Sequence, residues 1–343
     1  MTSSTVSPEA LVEERSTFLG RVTGSPLIRL VTRRLLVSVL IVWVISAIVF
    51  ALLAAMPGDV ARNQAGMGAS DEQVEDLRRQ LGLDQPPITR YLTWLFAVFR
   101  GDFGNSLISG QPISTLVAER LPVTMELVLL AFVISLAIAL PVAVLAARKP
   151  GGFFDRVVMV ISMILLALPN YVLALLLVVV FAVLLRMLPA IGYVPLSEGI
   201  IPNLVSVALP VAALATPLVA FYTRFLRGDL VEVMNSEDYV ETARSKGAGP
   251  WRVLWQHAFR NSSFGMLTIV GLNVGGLVGG TVIIEQIFAM PGLGVMLLQG
   301  ALSGDSPVVL VCVIIFAAVA VGANLVVDLM YAVLDPRIRY GSH

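Results

Sequence analysis

The sequence predicts an all-α membrane protein with six transmembrane helices and a folded cap between helices 1 and 2. Three observations carry this reading. Of 343 residues, 57% are hydrophobic and only 13% charged, with mean hydropathy +0.88, against about 25% charged residues in soluble domains. The charges are clustered, and between the clusters lie charge-free runs of the ~18 residues or more that a bilayer crossing requires. Those runs have no polar face, which a helix on a soluble core would need. Net charge is +0 with no basic tail, so nothing points to nucleic acid, and the single cysteine, Cys312, rules out an internal disulfide framework.

Taken in order, residues 1–34 form a polar tail of mixed charge. Glu9, Glu13 and Glu14 make it too acidic for the charged region of a cleaved signal peptide. Residues 35–56 are the first span, following Arg33-Arg34 and ending near Pro57. Residues 57–122 form the cap. Ser70 and Gln73 have capping-box spacing with Asp71 and Glu72 in the first turn, Val74, Leu77 and Leu81 recur at helical spacing, and Gly82 stands where a helix stops. After Pro86-Pro87, a second amphipathic segment carries Tyr91, Leu92, Trp94, Leu95, Val98 and Phe99. The core, residues 123–334, holds the remaining spans at Val123–Ala147, Val157–Leu185, Ile201–Thr223, Ser263–Ile284 and Pro307–Val327. Pro141, Pro169, Pro210 and Pro217 interrupt them; such breaks either line a water-filled path or are ordinary kinks. Residues 335–343 are a tail.

Orientation follows from the excess of arginine and lysine in cytosolic connections. Arg148, Lys149 and Arg156 fill the second connection, six basic residues from Arg224 to Arg260 fill the fourth, and Arg337 and Arg339 lie in the tail. The third connection has only Arg186, and the fifth has none. Both termini are expected in the cytosol and the cap outside.

The fourth connection, residues 224–262, carries the mechanism. Ser236 to Gly247 reads as a short helix with acids in its first turn, bases in its last and a glycine stop. Pro250 then starts a second helix whose Trp251, Leu254, Trp255 and Ala258 form an apolar stripe suited to packing against the spans. A projecting helix, a glycine corner and a packed helix make a lever that a partner can grip.

Glu241-Thr242-Ala243 followed by Gly247 resembles the Glu-Ala-Ala…Gly loop of bacterial binding-protein-dependent ABC importers. The string Asp238-Tyr239-Val240…Thr242-Ala243-Arg244…Lys246-Gly247…His257-Ala258-Phe259-Arg260-Asn261 is similar to the oligopeptide/dipeptide/nickel branch. Matching strings recur along most of the chain. They include Pro57-Gly58-Asp59, Leu81 to Pro86, Gly101-Asp102-Phe103-Gly104 with Ser106, Arg120 to Thr124 with Glu126, Pro291-Gly292-Leu293-Gly294, and Asp328, Tyr331 and Leu334 to Tyr340. Thr242 departs from the pattern in place of the first alanine, and the His257–Asn261 string replaces the last part of the broad motif.

The resemblance implies a type I importer permease for di- or oligopeptides within a heteromeric complex. Its implied partners are a second related permease, two ATP-binding subunits and an external solute-binding protein. ATP and magnesium would be bound by the ATP-binding subunits, this chain needing no cofactor. The implied coupling residues are Glu241, Thr242, Ala243, Arg244, Lys246 and Gly247. The bacterial cytoplasmic (inner) membrane is the implied location.

Small residues at four-residue spacing, Gly271, Gly275 and Gly279, let helices approach closely in lipid; a lining for solute is the other reading. Asn170 and Asn273 either face a polar path or bridge helices. Glu126, Glu285 and Asp328 are expected at span ends within reach of water, poor places for a proton relay. No phosphate loop occurs, and His257 and His343 are too few for a histidine-based metal site or a triad, so the chain is expected not to be an enzyme. An ion-gradient carrier would need charged groups mid-span, and an intramembrane enzyme paired catalytic groups at depth; the spans offer neither.

Overall fold

The computed structural model describes residues 26–55, 60–65, 68–80, 82–236, 245–247 and 249–334. The strings Pro57-Gly58-Asp59 and Glu237 to Arg244, Leu81 and the tails 1–25 and 335–343 lie outside them. The described residues are mainly helical, with an isolated bridge between Asn105 and Pro112 among the connections. Its elements are α1 (Pro26–Ala55), α2 (Val60–Ala65), α3 (Asp71–Gln80), α4 (Pro87–Phe99), α5 (Ile113–Ala147), α6 (Phe153–Ala167), α7 (Asn170–Leu177), α8 (Ile200–Ser236), α9 (Pro250–Arg252), α10 (Phe259–Ile287), α11 (Leu293–Ser303) and α12 (Ser306–Leu334).

Among the described residues, α1, α5, α8, α10 and α12 are each long and apolar enough to cross a membrane. The third span is not one straight rod. The segments Phe153–Ala167 and Asn170–Leu184 meet at 104°, because Pro169 cannot donate into a helical ladder and drives Leu168 into an extended backbone (ψ 125°). Counting that bent pair as one crossing gives six.

Several helices outrun their apolar cores. The second span begins ten residues ahead of Val123, at Ile113, and passes Pro122 and Pro141 unbroken. The fourth continues to Ser236, so the residue read as the cap of a new helix is the last of α8. From Pro250 to Ile287 the backbone stays right-handed helical, through a wider π-helical stretch at Val253–Ala258.

Three apolar clusters hold the bundle. A central one joins Val123, Leu127 and Ala131 of α5 to Leu209 and Leu214 of α8, Leu277 and Ile284 of α10, and Phe288 and Met290. A second, at the end carrying Ser236 and residues 245–247 (the loop end), joins Ala139, Ala143 and Ala147 to Tyr222, Leu226 and Leu230, and to Leu254 and Ala258. A third, at the cap end, joins Ile113 and Val117 to Leu293, Met296, Val308 and Cys312, with Trp94 and Phe103 against it. Arg34 of α1 pairs with Asp328 of α12 at 2.9 Å.

Within the cap, the amide of Ser70 donates to Gln73 Oε1 at 2.9 Å and the amide of Gln73 donates to Ser70 Oγ at 3.3 Å. This is the reciprocal capping box that the spacing predicts. Gly82 ends α3 with φ +64°.

Candidate coupling surface and translocation seam

At the loop end, Ser245, Lys246 and Gly247 are exposed. Gly247 has φ +81°, a left-handed conformation that only glycine adopts freely, and a Cβ there would meet nothing within 4 Å. The need for glycine is therefore conformational rather than steric. Glu241, Thr242, Ala243 and Arg244 lie outside the described residues.

Beyond Gly249 the chain is anchored firmly. The amides of Arg252 and Val253 donate to the Gly249 carbonyl. Val253, Leu254 and Ala258 are fully buried. Trp251 and Trp255 are not: both are more than two-fifths exposed. The stripe expected from a 3.6-residue period is thus corrected by the π-helical stretch, whose wider turn brings Val253 inward with Leu254 and Ala258. Trp251 instead stacks under the Arg148 guanidinium at 5.3 Å, and Trp255 packs on Phe259 at 4.9 Å.

Beside this anchor sits an ion pair that the sequence reading passed over. Asp155, only 4% exposed, accepts from Arg227 Nε at 2.8 Å and Nη2 at 2.6 Å, and from the Gly151 amide at 2.7 Å. It ties the second connection to the lower part of α8. The available signal was one acid among the basic residues of that connection.

The glycines of α10 divide between two faces. A Cβ on Gly271 would lie 2.9 Å from Val327 Cγ2, and one on Gly275 would lie 3.4 Å from Ala320 Cβ. These two let α10 and α12 touch. Gly276 and Gly279 would meet nothing within 4 Å and lie on an open strip with Leu272 and Ile283. Asn273 donates to the Ile269 carbonyl of its own helix at 2.7 Å. Asn170, the first residue of α7, lies against Gly280.

At the cap end, the expectation of a water-reachable Glu285 is overturned: its exposure is 0%. Thr124 Oγ1 donates to its Oε1 at 2.7 Å, and the Val295 amide donates to Oε2 at 3.1 Å. Thr124 in turn accepts from the Leu293 amide at 2.8 Å. The carboxylate fills the space that a side chain at Gly292 would need, and the Val282 backbone together with the carboxylate fills the space at Gly294. This is why the Pro291 to Gly294 string has glycines where it does. Glu126 accepts from the Tyr193 hydroxyl at 2.7 Å; burial and this bond push the phenol up to about 12. The buried Asp305 accepts from Ser106 Oγ and from the Leu107 amide.

The description binding-protein-dependent transport system inner membrane component matches residues 139–340, and its N-terminal companion matches 27–128. The chain belongs to this family of transport permeases. Family membership makes it a multi-pass inner-membrane protein and favours an ATP-driven importer over an ion-gradient carrier. Permease relatives match nearly end to end. A Brucella abortus (strain 2308) protein named as a peptide transport system permease is 40% identical over 311 residues, 91% of this chain and 99% of its own. The oligopeptide transport system permease protein AppB of Bacillus subtilis (strain 168) is 36% identical, covering 90% and 99%. The glutathione transport system permease protein GsiC of Escherichia coli (strain K12) is 34% identical, covering 90% and 98%. Among solved structures, an inward-facing MetNI methionine ABC transporter aligns with TM-score 0.49 at 19% identity, over 68% of this chain and 99% of that one.

Proposed function

We propose that this permease forms half of the translocation path of an importer for short peptides, worked by separate ATP-binding subunits that grip its fourth connection. The reading completes the complex with a second permease, two ATP-binding subunits and an external solute-binding protein. Nucleotide and magnesium bind on the ATP-binding subunits. Peptides are favoured as cargo by the names of the relatives. Both termini and the gripped connection face the cytosol, in keeping with the arginine and lysine distribution.

One observation carries the coupling role. An exposed glycine turn at Gly247 leads into a helix whose Val253 is buried and whose Leu254 and Ala258 are locked against α5 and α8. A push arriving at residues 245–247 is passed to the bundle through this anchored helix. Closure of the ATP-binding pair would draw this lever inward and open the spans outward; hydrolysis would reset them.

The test is the assembled transporter in proteoliposomes, with uptake of a labelled tripeptide and ATP turnover measured together. Gly247→Val and Glu241→Lys should leave ATP turnover measurable while uptake collapses. Normal uptake by Gly247→Val, or uphill uptake by the purified chain alone without nucleotide, would overturn the reading.

A further inference from the structure

The cap contains two helices of opposite character. Helix α3 carries Asp71, Glu72, Glu75, Asp76, Arg78 and Arg79 and is built for water. Helix α4 carries one charge, Arg90, in thirteen residues. Its outer face exposes Ile88 (75%), Leu92 (45%), Phe96 (64%) and Phe99 (75%), at spacings of four, four and three, with Thr89 and Thr93 as the polar residues among them. A contiguous apolar stripe of this kind is not left in water.

The contacts of α4 with α1 fix its level. Tyr91 Oη lies 2.8 Å from Ser46 Oγ, the Tyr91 ring lies 5.2 Å from Phe50, and the Arg90 guanidinium sits 6.0 Å over Phe50. The membrane-crossing part of α1 is Val31–Ala55, centred on Trp43. At ~1.5 Å per residue, Phe50 is ~10 Å and Ser46 ~5 Å from that centre, inside a hydrocarbon half-thickness of ~15 Å. The Tyr91 side chain is thus held ~5–10 Å below the hydrocarbon boundary, the depth at which an interfacial helix buries its apolar face. The outward face of α1 at the same level is itself apolar, with Ile48 and Leu52 exposed, and the stripe on α4 continues it.

We infer that α4 lies in the bilayer interface on the cap side, its Ile88, Leu92, Phe96 and Phe99 face buried among lipid acyl chains. The cap is then not a domain standing in water above the membrane. It is moored at α4 while α3 stays solvated. Arg90 reaches along Phe50 toward the headgroups, as long cationic side chains do at such boundaries. The inference rests on α1 crossing the bilayer, and its test separates the two claims.

The experiment places single cysteines at Ile88, Leu92 and Phe96 in a Cys312→Ser background. They are labelled with a nitroxide in the assembled transporter in lipid nanodiscs, and collision rates are read with oxygen and with a nickel chelate. Oxygen collisions should exceed nickel collisions several-fold at all three sites, as at a Leu40→Cys control on α1, with the order reversed at Glu72→Cys on α3. Nickel access at all three sites matching Glu72 would put the face in water and overturn the mooring. Low access to both reagents would mean a protein partner covers it, which overturns it equally. Nickel access at Leu40 would instead sink the span itself. An independent variant, Phe96→Trp, should have its added emission quenched by lipids brominated high on the acyl chain; unquenched emission counts against the inference.

Discussion

Replacing Gly292 by alanine should destabilise the cap end sharply, and the structure says why. The Gly292 backbone is extended (φ −97°, ψ 179°), so alanine meets no conformational penalty. The cost is steric: its Cβ would stand 2.3 Å from Glu285 Cδ and Oε2. A flexible glutamate would swing away, but this one is wholly buried and held by Thr124 and Val295. Reaching ordinary contact means moving the carboxyl group by about 1 Å, which breaks both bonds; each buried hydrogen-bonding group left unsatisfied costs about 1–3 kcal/mol. If the loop yields instead, overpacking costs about 1–3 kcal/mol. An intermediate value of about 3 kcal/mol corresponds to a melting shift of roughly 6 °C at about 2 °C per kcal/mol. Cys312 provides the assay. It is the sole cysteine, has 0% exposure, and shares a cluster with Leu293. A fluorogenic thiol dye added during a temperature ramp therefore reports opening of this region. Gly292→Ala should react several degrees earlier than the parent. The penalty should shrink in a Glu285→Ala background, where the obstructing carboxylate is gone. An unchanged ramp, or the same penalty in both backgrounds, would refute the claim that Glu285 occupies that space.

Two further outcomes follow from the loop end and the contact between α10 and α12. Asp155→Asn should loosen the loop end by about 1–3 kcal/mol, below the ~3–5 kcal/mol for fully buried pairs because Arg227 keeps 23% exposure. Limited proteolysis should then cut between residues 237 and 249 faster, and Arg227→Lys, which cannot reproduce a two-pronged grip, should behave similarly. Gly271→Ala should lower the melting temperature, because its Cβ strikes Val327, whereas Gly279→Ala should leave it unchanged because nothing stands within 4 Å. Equal stability of the two variants would argue against the division of the α10 glycines between faces.

The spans were legible because a charge-free run long enough to cross a bilayer has no soluble explanation, and the capping box at Ser70 and Gln73 because its two bonds are local. Helix limits were less so. Ile113 to Pro122 is polar enough to read as loop, and only packing against Leu293 and Val308 shows it to be the start of α5. Trp251 and Trp255 were misplaced because a regular helical period was assumed where the chain takes a wider turn. Glu285 looked exposed by its position at a span end; partners at Thr124 and Val295, remote in sequence or folded back over it, remove it from water. Asp155 and Arg227, 72 positions apart, gave no local sign of pairing.

Helix α5 spans 35 residues, roughly 52 Å at ~1.5 Å per residue, well beyond the ~30 Å of hydrocarbon. Its Ile113 is rooted beneath the cap and its Ala147 beside the anchored fourth connection. Such a rod needs no chain of side-chain relays to carry news across the membrane. Pivoting by ~10° about its middle would swing each tip by roughly 4–5 Å in opposite directions, so a displacement imposed at one membrane surface reappears, reversed, at the other.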